Sequence, residues 1–174
     1  HLVAAGGKRM RPMMSIAGSM MATATPDDRG PAILLATAVE FIHSATLLHD
    51  DVIDESNLRR GRDTANALWG NDAAVLVGDF LFARAFELMV EADNISVLGR
   101  LAAASAKITE GEVRQMTITG NPDTPVDDYL DVIAGKTAVL FAAAAGAGAE
   151  VSGGSPDKVA AMYDYGLQLG MAFQ

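Results

Sequence analysis

The chain of 174 residues contains no cysteine, which excludes disulfide bonds and thiolate chemistry from its function. Aromatic residues make up only 6% of the sequence, whereas alanine is abundant, and this composition favours closely packed helices over a sheet. Strand-like alternation bounded by hairpin turns is also missing. The sequence therefore predicts an all-α fold, an antiparallel helical bundle with short loops.

Positive charge is scarce, because 13 basic residues stand against 22 acidic ones and the formal net charge is -9. This balance argues against a nucleic-acid partner, which requires cations that neutralise phosphates. The longest strongly apolar run, Ala138 to Ala149, is shorter than the ~20 residues that cross a membrane, so we expect a buried core helix and no transmembrane segment. With no secretory signal recognisable at the start, we expect a cytoplasmic protein.

Helical periodicity and turn signals divide the chain into six predicted helices within one domain, residues 1–174. A break near Gly70 is an alternative for the third helix, and residues 57–64 are predicted to form a charged loop. The predicted helices cover residues 13–24, 31–55, 65–91, 95–119, 126–150 and 156–174.

The second predicted helix ends in three carboxylates, and two arginines follow: Asp50, Asp51, Asp54, Arg59 and Arg60. Residues four apart share a helix face, so Asp50 and Asp54 point the same way and His43 lies on the same side. Two carboxylates this close repel each other unless a cation lies between them, and an all-oxygen ligand set favours Mg²⁺ over Zn²⁺. Arginine side chains are suited to bind the phosphate oxygens that complete such a site.

An acidic cluster at a helix end can also be a solvated surface, but this one ends a strongly apolar helix and so lies at the rim of a core. Five motifs follow one another along the chain: Gly6-Gly7-Lys8-Arg9-Met10-Arg11-Pro12, Asp50-Asp51-Val52-Ile53-Asp54, Arg59-Arg60-Gly61, Gly135-Lys136-Thr137 and Gly170-Met171-Ala172-Phe173-Gln174. This ordered set resembles the trans-isoprenyl diphosphate synthases, the polyprenyl synthetase family, over essentially the whole chain.

The resemblance implies a helical bundle of the isoprenoid synthase type with a central active-site cavity. It also implies a prenyltransferase that joins isopentenyl diphosphate head to tail with an allylic diphosphate, with Mg²⁺ as cofactor and a homodimer as assembly. Metal binding falls to Asp50 and Asp54. The catalytic residues would be Asp50, Asp54, Arg59 and Lys136. The allylic diphosphate would be held by Arg59, Lys136, Thr137 and Gln174, and isopentenyl diphosphate by Lys8, Arg11, His43 and Arg60.

Several of these residues have a structural alternative. His43 could be a hydrogen-bonded core histidine, Lys136 a surface lysine with a buried stem, and the basic turn around Lys8 a solvated loop. Asp51 lies off the shared face, and we assign it to orienting water or ligands around the metal. We expect His49 to be structural.

Small side chains one turn before Asp50 predict a long product. On an ideal helix Thr46 faces the site, Ala45 lies to its side, and Val39 lines the same face deeper down. With no bulky residue at this level we expect a long tunnel and a long all-trans polyprenyl diphosphate. A geranylgeranyl or farnesyl diphosphate synthase and a non-catalytic partner subunit remain the alternatives, and a terpene cyclase or a helical binding module is less compatible with the motifs.

Two departures from the family pattern stand out. Residues 62–66 replace the Pro-Thr-x-His common after the Arg-Arg-Gly motif, so the family pattern does not predict which residues form the edge of the isopentenyl pocket. The family's second aspartate-rich motif is absent, and both ends read as interrupted helices. We therefore expect these residues to be a segment of a larger enzyme.

Overall fold

The structure, a computed structural model, describes residues 7–23 and 29–174, and it confirms the all-α prediction. Predictions that fall on residues 1–6 and 24–28, including Gly6 of the first motif, lie outside the described residues. The helices are α1 (Met10–Ala22), α2 (Gly30–Ile53), α3 (Ala65–Trp69), α4 (Asn71–Glu91), α5 (Ile95–Ile118), α6 (Val126–Ile133), α7 (Val139–Val151) and α8 (Pro156–Phe173).

Helix α2 is the centre of the bundle and packs against α1, α4 and α7. Helix α7 in turn packs against α1, α5 and α8, and its residues 140–149 are all buried. The largest fully buried apolar side chains come from several helices: Leu35, Ile42, Met89, Leu101 and Phe141. The core therefore lies along α2 and α7, and the carboxyl end of α2 opens at its edge.

Glycine allows α1 and α7 to touch backbone to backbone. A Cβ atom added to Gly148 would lie 1.8 Å from the carbonyl oxygen of Ser15, and one added to Gly18 would lie 2.1 Å from that of Ala145. Neither position can hold a side chain unless the helices separate. This contact brings the basic turn that precedes α1 next to the helices that carry the later motifs.

Two segments differ from the sequence prediction. The predicted charged loop contains a short antiparallel hairpin, β1 (Leu58–Arg59) and β2 (Arg62–Asp63), whose turn residues Arg60 and Gly61 have φ angles of 54° and 74°. Positive φ at both turn positions matches the twist of a hairpin. A strand of two residues has no alternating pattern, which is why the sequence did not reveal it. The predicted helix over 126–150 is interrupted by a π-helical segment, Ala134–Ala138.

Two helical stretches, Gly30–Ile53 and Val126–Val151, are long and apolar enough to cross a membrane by composition alone. The apolar run recognised in the sequence lies inside the second, longer stretch. In the structure 50% and 72% of their most apolar windows are buried inside the bundle. Both stretches supply the core helices of the fold, and this accounts for their hydropathy.

The contact between α1 and α7 predicts the cost of a single methyl group. Gly148→Ala should lower the free energy of unfolding by about 1–3 kcal/mol, because the new Cβ overlaps a backbone oxygen that cannot rotate away. Gly99→Ala is the matched control, since that helical glycine has no atom within 4 Å of an added Cβ. The control should be as stable as the wild type or more so. Urea unfolding of the three proteins measures the difference, and equal stability of the two variants would contradict the contact.

Candidate active site

One cavity of about 650 Å³ opens between the carboxyl end of α2, the turn before α1, the hairpin, α5 and the π-helical segment. All ten site residues predicted from the sequence line it: Lys8, Arg11, His43, Asp50, Asp54, Arg59, Arg60, Lys136, Thr137 and Gln174. Carboxylates from one helix end and cationic groups from three separate segments thus meet in one space. Such a mixture is suited to an anionic ligand bound together with a cation.

Asp50 and Asp54 supply the acidic part of the cavity. Burial is the largest cause that raises the pKa of Asp50 to about 6, and nearby Glu112 adds to it, while Lys136 opposes it. A cation beside this partly buried carboxylate would relieve the same unfavourable charge. Among residues 7–23 and 29–174, no cluster of three acidic or imidazole groups encloses a metal position. Two carboxylates do fit Mg²⁺, which commonly takes its remaining ligands from water and phosphate.

Asp51 binds an arginine and does not face the cavity. Its side chain is 2% exposed and accepts hydrogen bonds from Nη2 and Nε of Arg59, the shortest at 2.7 Å. The sequence analysis assigned Asp51 to orienting water or ligands around the metal, and in the structure its carboxylate binds the guanidinium of Arg59. Asp51 therefore fixes the direction in which Arg59 presents its remaining N–H groups to the cavity.

His43 and Arg11 form the basic end of the cavity on facing helices. Burial first, and then the charge of Arg11, lowers the pKa of His43 to about 3, so the imidazole is neutral near pH 7. Its Nε2 lies 3.1 Å from Nη1 of Arg11 and accepts a hydrogen bond from it. The Arg11 guanidinium lies over the Phe141 ring at 4.6 Å, and its buried Nε finds no partner in the described part of the chain.

The carboxyl end of α8 closes the cavity from another side. Thr137 donates a hydrogen bond of 2.8 Å to Oε1 of Gln174, and the Lys8 ammonium lies 5.4 Å from the centre of the Phe173 ring. The π-helical segment also directs Lys136 inward, where its Nζ lies 2.7 Å from Oε2 of Glu112. The sequence analysis did not assign Glu112 to the site. It lies near the end of the predicted helix over 95–119, and nothing in that local pattern distinguished it from its neighbours.

The family model described as Polyprenyl synthetase matches residues 1–174. The chain belongs to the polyprenyl synthetase family. It is 46% identical to an octaprenyl diphosphate synthase of Haemophilus influenzae, a match that covers 100% of this chain and 52% of the relative. It is 47% identical to an all-trans-nonaprenyl-diphosphate synthase (geranyl-diphosphate specific) of Rhodobacter capsulatus, covering 53% of that relative.

Solved structures agree with this assignment. A decaprenyl diphosphate synthase from Rhodobacter capsulatus superposes with a TM-score of 0.95 at 53% identity, covering 100% of this chain and 53% of that chain. A polyprenyl synthase from Caulobacter crescentus, complexed with calcium and isoprenyl diphosphate, gives the same TM-score and identity over 52% of its length. The chain thus spans about half the length of the curated relatives it matches.

Within this polyprenyl synthetase chain, residues 62–66 anchor the loop after α2. The amide Nδ2 of Asn66 donates to the carbonyl oxygens of Asp51 and Ser56, and the Thr64 hydroxyl also donates to Ser56. Neither Thr64 nor Asn66 lines the cavity. The departure from the common family pattern therefore falls on residues that hold the hairpin in place.

The apolar part of the cavity wall differs in detail from the helical-wheel prediction. Thr46 lines the cavity, as predicted, together with Leu47 of α2 and Ile108 of α5. Ala45 and Val39 are fully buried in the helix packing and do not line it. Thr46 therefore forms part of the cavity surface, and Ala45 does not.

The neutral state of His43 predicts a dependence of stability on pH. As the pH falls below 6.5 the unfolded chain protonates this histidine, whereas the folded protein resists protonation down to about pH 3. The unfolding free energy should therefore fall across this window, and above it His43 should contribute no pH dependence. His43→Gln removes the titration and keeps an oxygen that can accept from Arg11, so its stability should vary less. Urea unfolding at pH values spanning the window measures this, and equal slopes for both proteins would contradict it.

Proposed function

We propose that the protein is a prenyltransferase that condenses isopentenyl diphosphate head to tail with an allylic diphosphate. The single observation that carries the proposal is the convergence of ten predicted site residues from distant parts of the chain on one cavity. Membership of the polyprenyl synthetase family supports it. Relatives that span twice the length are named for this class of product, so the activity is proposed for the full-length protein that carries this chain.

Two groups of side chains divide the work of binding two diphosphates. Arg59 and Lys136, whose charges act on Asp50, would hold the allylic diphosphate together with Thr137 and Gln174. Arg60, Lys8, Arg11 and His43 would hold isopentenyl diphosphate. His43 accepts from Arg11 and so fixes one guanidinium toward the cavity, while Asp51 fixes that of Arg59. Two separate cationic groups match two anionic substrates.

Asp50 and Asp54 would hold Mg²⁺, which supplies positive charge to the diphosphate that leaves with its bonding electrons. The calcium and isoprenyl diphosphate in the Caulobacter crescentus relative support a divalent cation in this family. The neutral His43 imidazole already accepts from Arg11 and is therefore not available as a general base. We infer that the departing diphosphate receives the final proton.

The metal assignment predicts a large loss of rate from a small change. In the full-length enzyme, Asp50→Ala should lower kcat about a hundredfold or more with saturating Mg²⁺, because charge stabilisation of the transition state is lost. Asp123→Ala is the matched control, since Asp123 lies in the loop between α5 and α6, is exposed and lines no part of the cavity. Steady-state turnover measures both variants, and a normal rate in Asp50→Ala would refute the proposal.

The product we propose is a long all-trans polyprenyl diphosphate. The small Thr46 leaves the cavity wall open toward Leu47 and Ile108, and the octaprenyl and nonaprenyl synthases among the relatives support this choice. A geranylgeranyl product is the second candidate, because a geranylgeranyl diphosphate synthase of Saccharolobus solfataricus is 36% identical. Neither a farnesyl product nor a non-catalytic partner subunit has such a specific observation in its favour.

The position of Thr46 predicts how product length responds to a bulky residue. Thr46→Phe should shorten the product, since an aromatic ring cannot share a close-packed wall with a growing chain. Thr46→Val, of nearly the same volume, should leave the length unchanged. Ala45→Phe should mainly destabilise the fold, because that position is fully buried among helices. Chromatography of the products decides, and a fifteen-carbon product from the wild type or no shortening by Thr46→Phe would show the wall argument to be wrong.

We further propose a cytoplasmic homodimer that uses α4. Leu76, Phe80 and Val90 of this helix are at least 63% exposed. Large apolar side chains exposed together on one helix are typical of a protein–protein interface. A second copy of the same helix could cover it in a two-fold interface. Light scattering of the full-length protein measures the assembly, and a monomer at working concentration would exclude it.

A further inference from the structure

The ammonium of Lys136 lies between two carboxylates at the edge of the proposed metal position. Its Nζ is 2.7 Å from Oε2 of Glu112 and 3.7 Å from Oδ2 of Asp50. The three side chains are between 13% and 26% exposed, so water screens this group only in part. One positive charge thus partly neutralises two negative ones at the place where a metal ion would bind.

The backbone builds this arrangement. A Cβ atom on Gly111 would lie 2.7 Å from the backbone nitrogen of Lys136, and one on Gly135 would lie 3.3 Å from the carbonyl oxygen of Lys107. Helix α5 and the π-helical segment therefore cross in direct contact at two glycines. The residues that follow these glycines, Glu112 and Lys136, therefore enter the cavity side by side. The contact between them is fixed by the packing of the two backbones.

We propose that Lys136 is a displaceable counterion, which Glu112 holds beside Asp50 in the free protein and which an incoming divalent cation drives off toward the diphosphate. This inference rests on the proposed function. An ammonium and a divalent cation repel each other strongly when both lie against one partly buried carboxylate. Lys136 lines the same cavity as Arg59 and Thr137, so the released ammonium stays within reach of a bound diphosphate. Glu112 is then a positioning residue that acts through Lys136.

If the ammonium and the metal ion compete for Asp50, the ammonium lowers the affinity of the site for a divalent cation, and this affinity can be measured. Removing a neighbouring positive charge must raise the affinity of Asp50 for a divalent cation when no diphosphate is present. A lysine that only binds substrate, at a distance from the metal, would leave this affinity unchanged. The two possibilities therefore differ in a binding constant that does not depend on turnover.

The full-length protein is titrated with Mn²⁺ in the absence of diphosphate. Electron paramagnetic resonance measures the free Mn²⁺ at each step and so gives the dissociation constant. We expect Lys136→Met to bind Mn²⁺ about tenfold more tightly than the wild type. Lys107→Met is the matched control, because it removes the same charge from an exposed pair with Glu110 outside the cavity, and it should change the affinity less than about twofold. Lys136→Gln, a second charge-removing variant, should shift the affinity in the same direction.

The role of Glu112 is tested by a double-mutant cycle. In a Glu112→Gln background the ammonium is no longer held at Asp50, so the gain from Lys136→Met should shrink to less than half of its value in the wild type. Suppose that the wild type binds Mn²⁺ and that Asp50→Ala does not. If Lys136→Met then binds Mn²⁺ no more tightly than the wild type, the counterion role of Lys136 is refuted and the proposed function stands. If no Mn²⁺ binding depends on Asp50 in the absence of diphosphate, the counterion proposal fails, and the turnover of Asp50→Ala decides the proposed function separately. A gain of equal size in both backgrounds overturns the role of Glu112.

Discussion

Negative charge at the carboxyl end of α2 must be compensated, and much of the site follows from this requirement. Three aspartates lie at the helix end where the backbone dipole is also negative, and the last turn contains no basic residue of its own. Compensation therefore comes from elsewhere in the chain. Arg59 reaches back from the hairpin to the buried Asp51, and Lys136 arrives from the π-helical segment beside Asp50. What remains of the charge favours a metal ion.

The second requirement is to bring distant segments close enough for this compensation. Glycines allow this close approach at two helix crossings. Helices α1 and α7 touch at Gly18 and Gly148, and α5 meets the π-helical segment at Gly111. At the second crossing the backbones approach within van der Waals contact, so Glu112 and Lys136, which follow Gly111 and Gly135, start from the cavity wall. The same small residues give the protein its high alanine and glycine content.

The two ends of the cavity treat their titratable groups in opposite ways. Burial raises the pKa of Asp50 because it disfavours the charged carboxylate, and a bound cation would stabilise that charge. Burial together with four arginines lowers the pKa of His43, so that this imidazole stays neutral and adds no charge to the basic end. A neutral acceptor can orient the Arg11 guanidinium and still leave its positive charge available to a diphosphate. The cavity thus combines a carboxylate that favours a bound cation with a neutral histidine beside arginines that can bind anions.

The sequence by itself determined the helical class and most helix positions, and it predicted ten residues that the structure places around one cavity. Helical periodicity and apolar runs are local properties, and the shared face of Asp50 and Asp54 follows from helix geometry alone. Only the tertiary structure decided which charges pair. The sequence could not show that Asp51 binds Arg59, that Glu112 holds Lys136, or that Ala45 is buried while Thr46 lines the cavity. Each of these depends on the crossing of two helices or on a short hairpin, and such contacts leave no periodic trace in the chain.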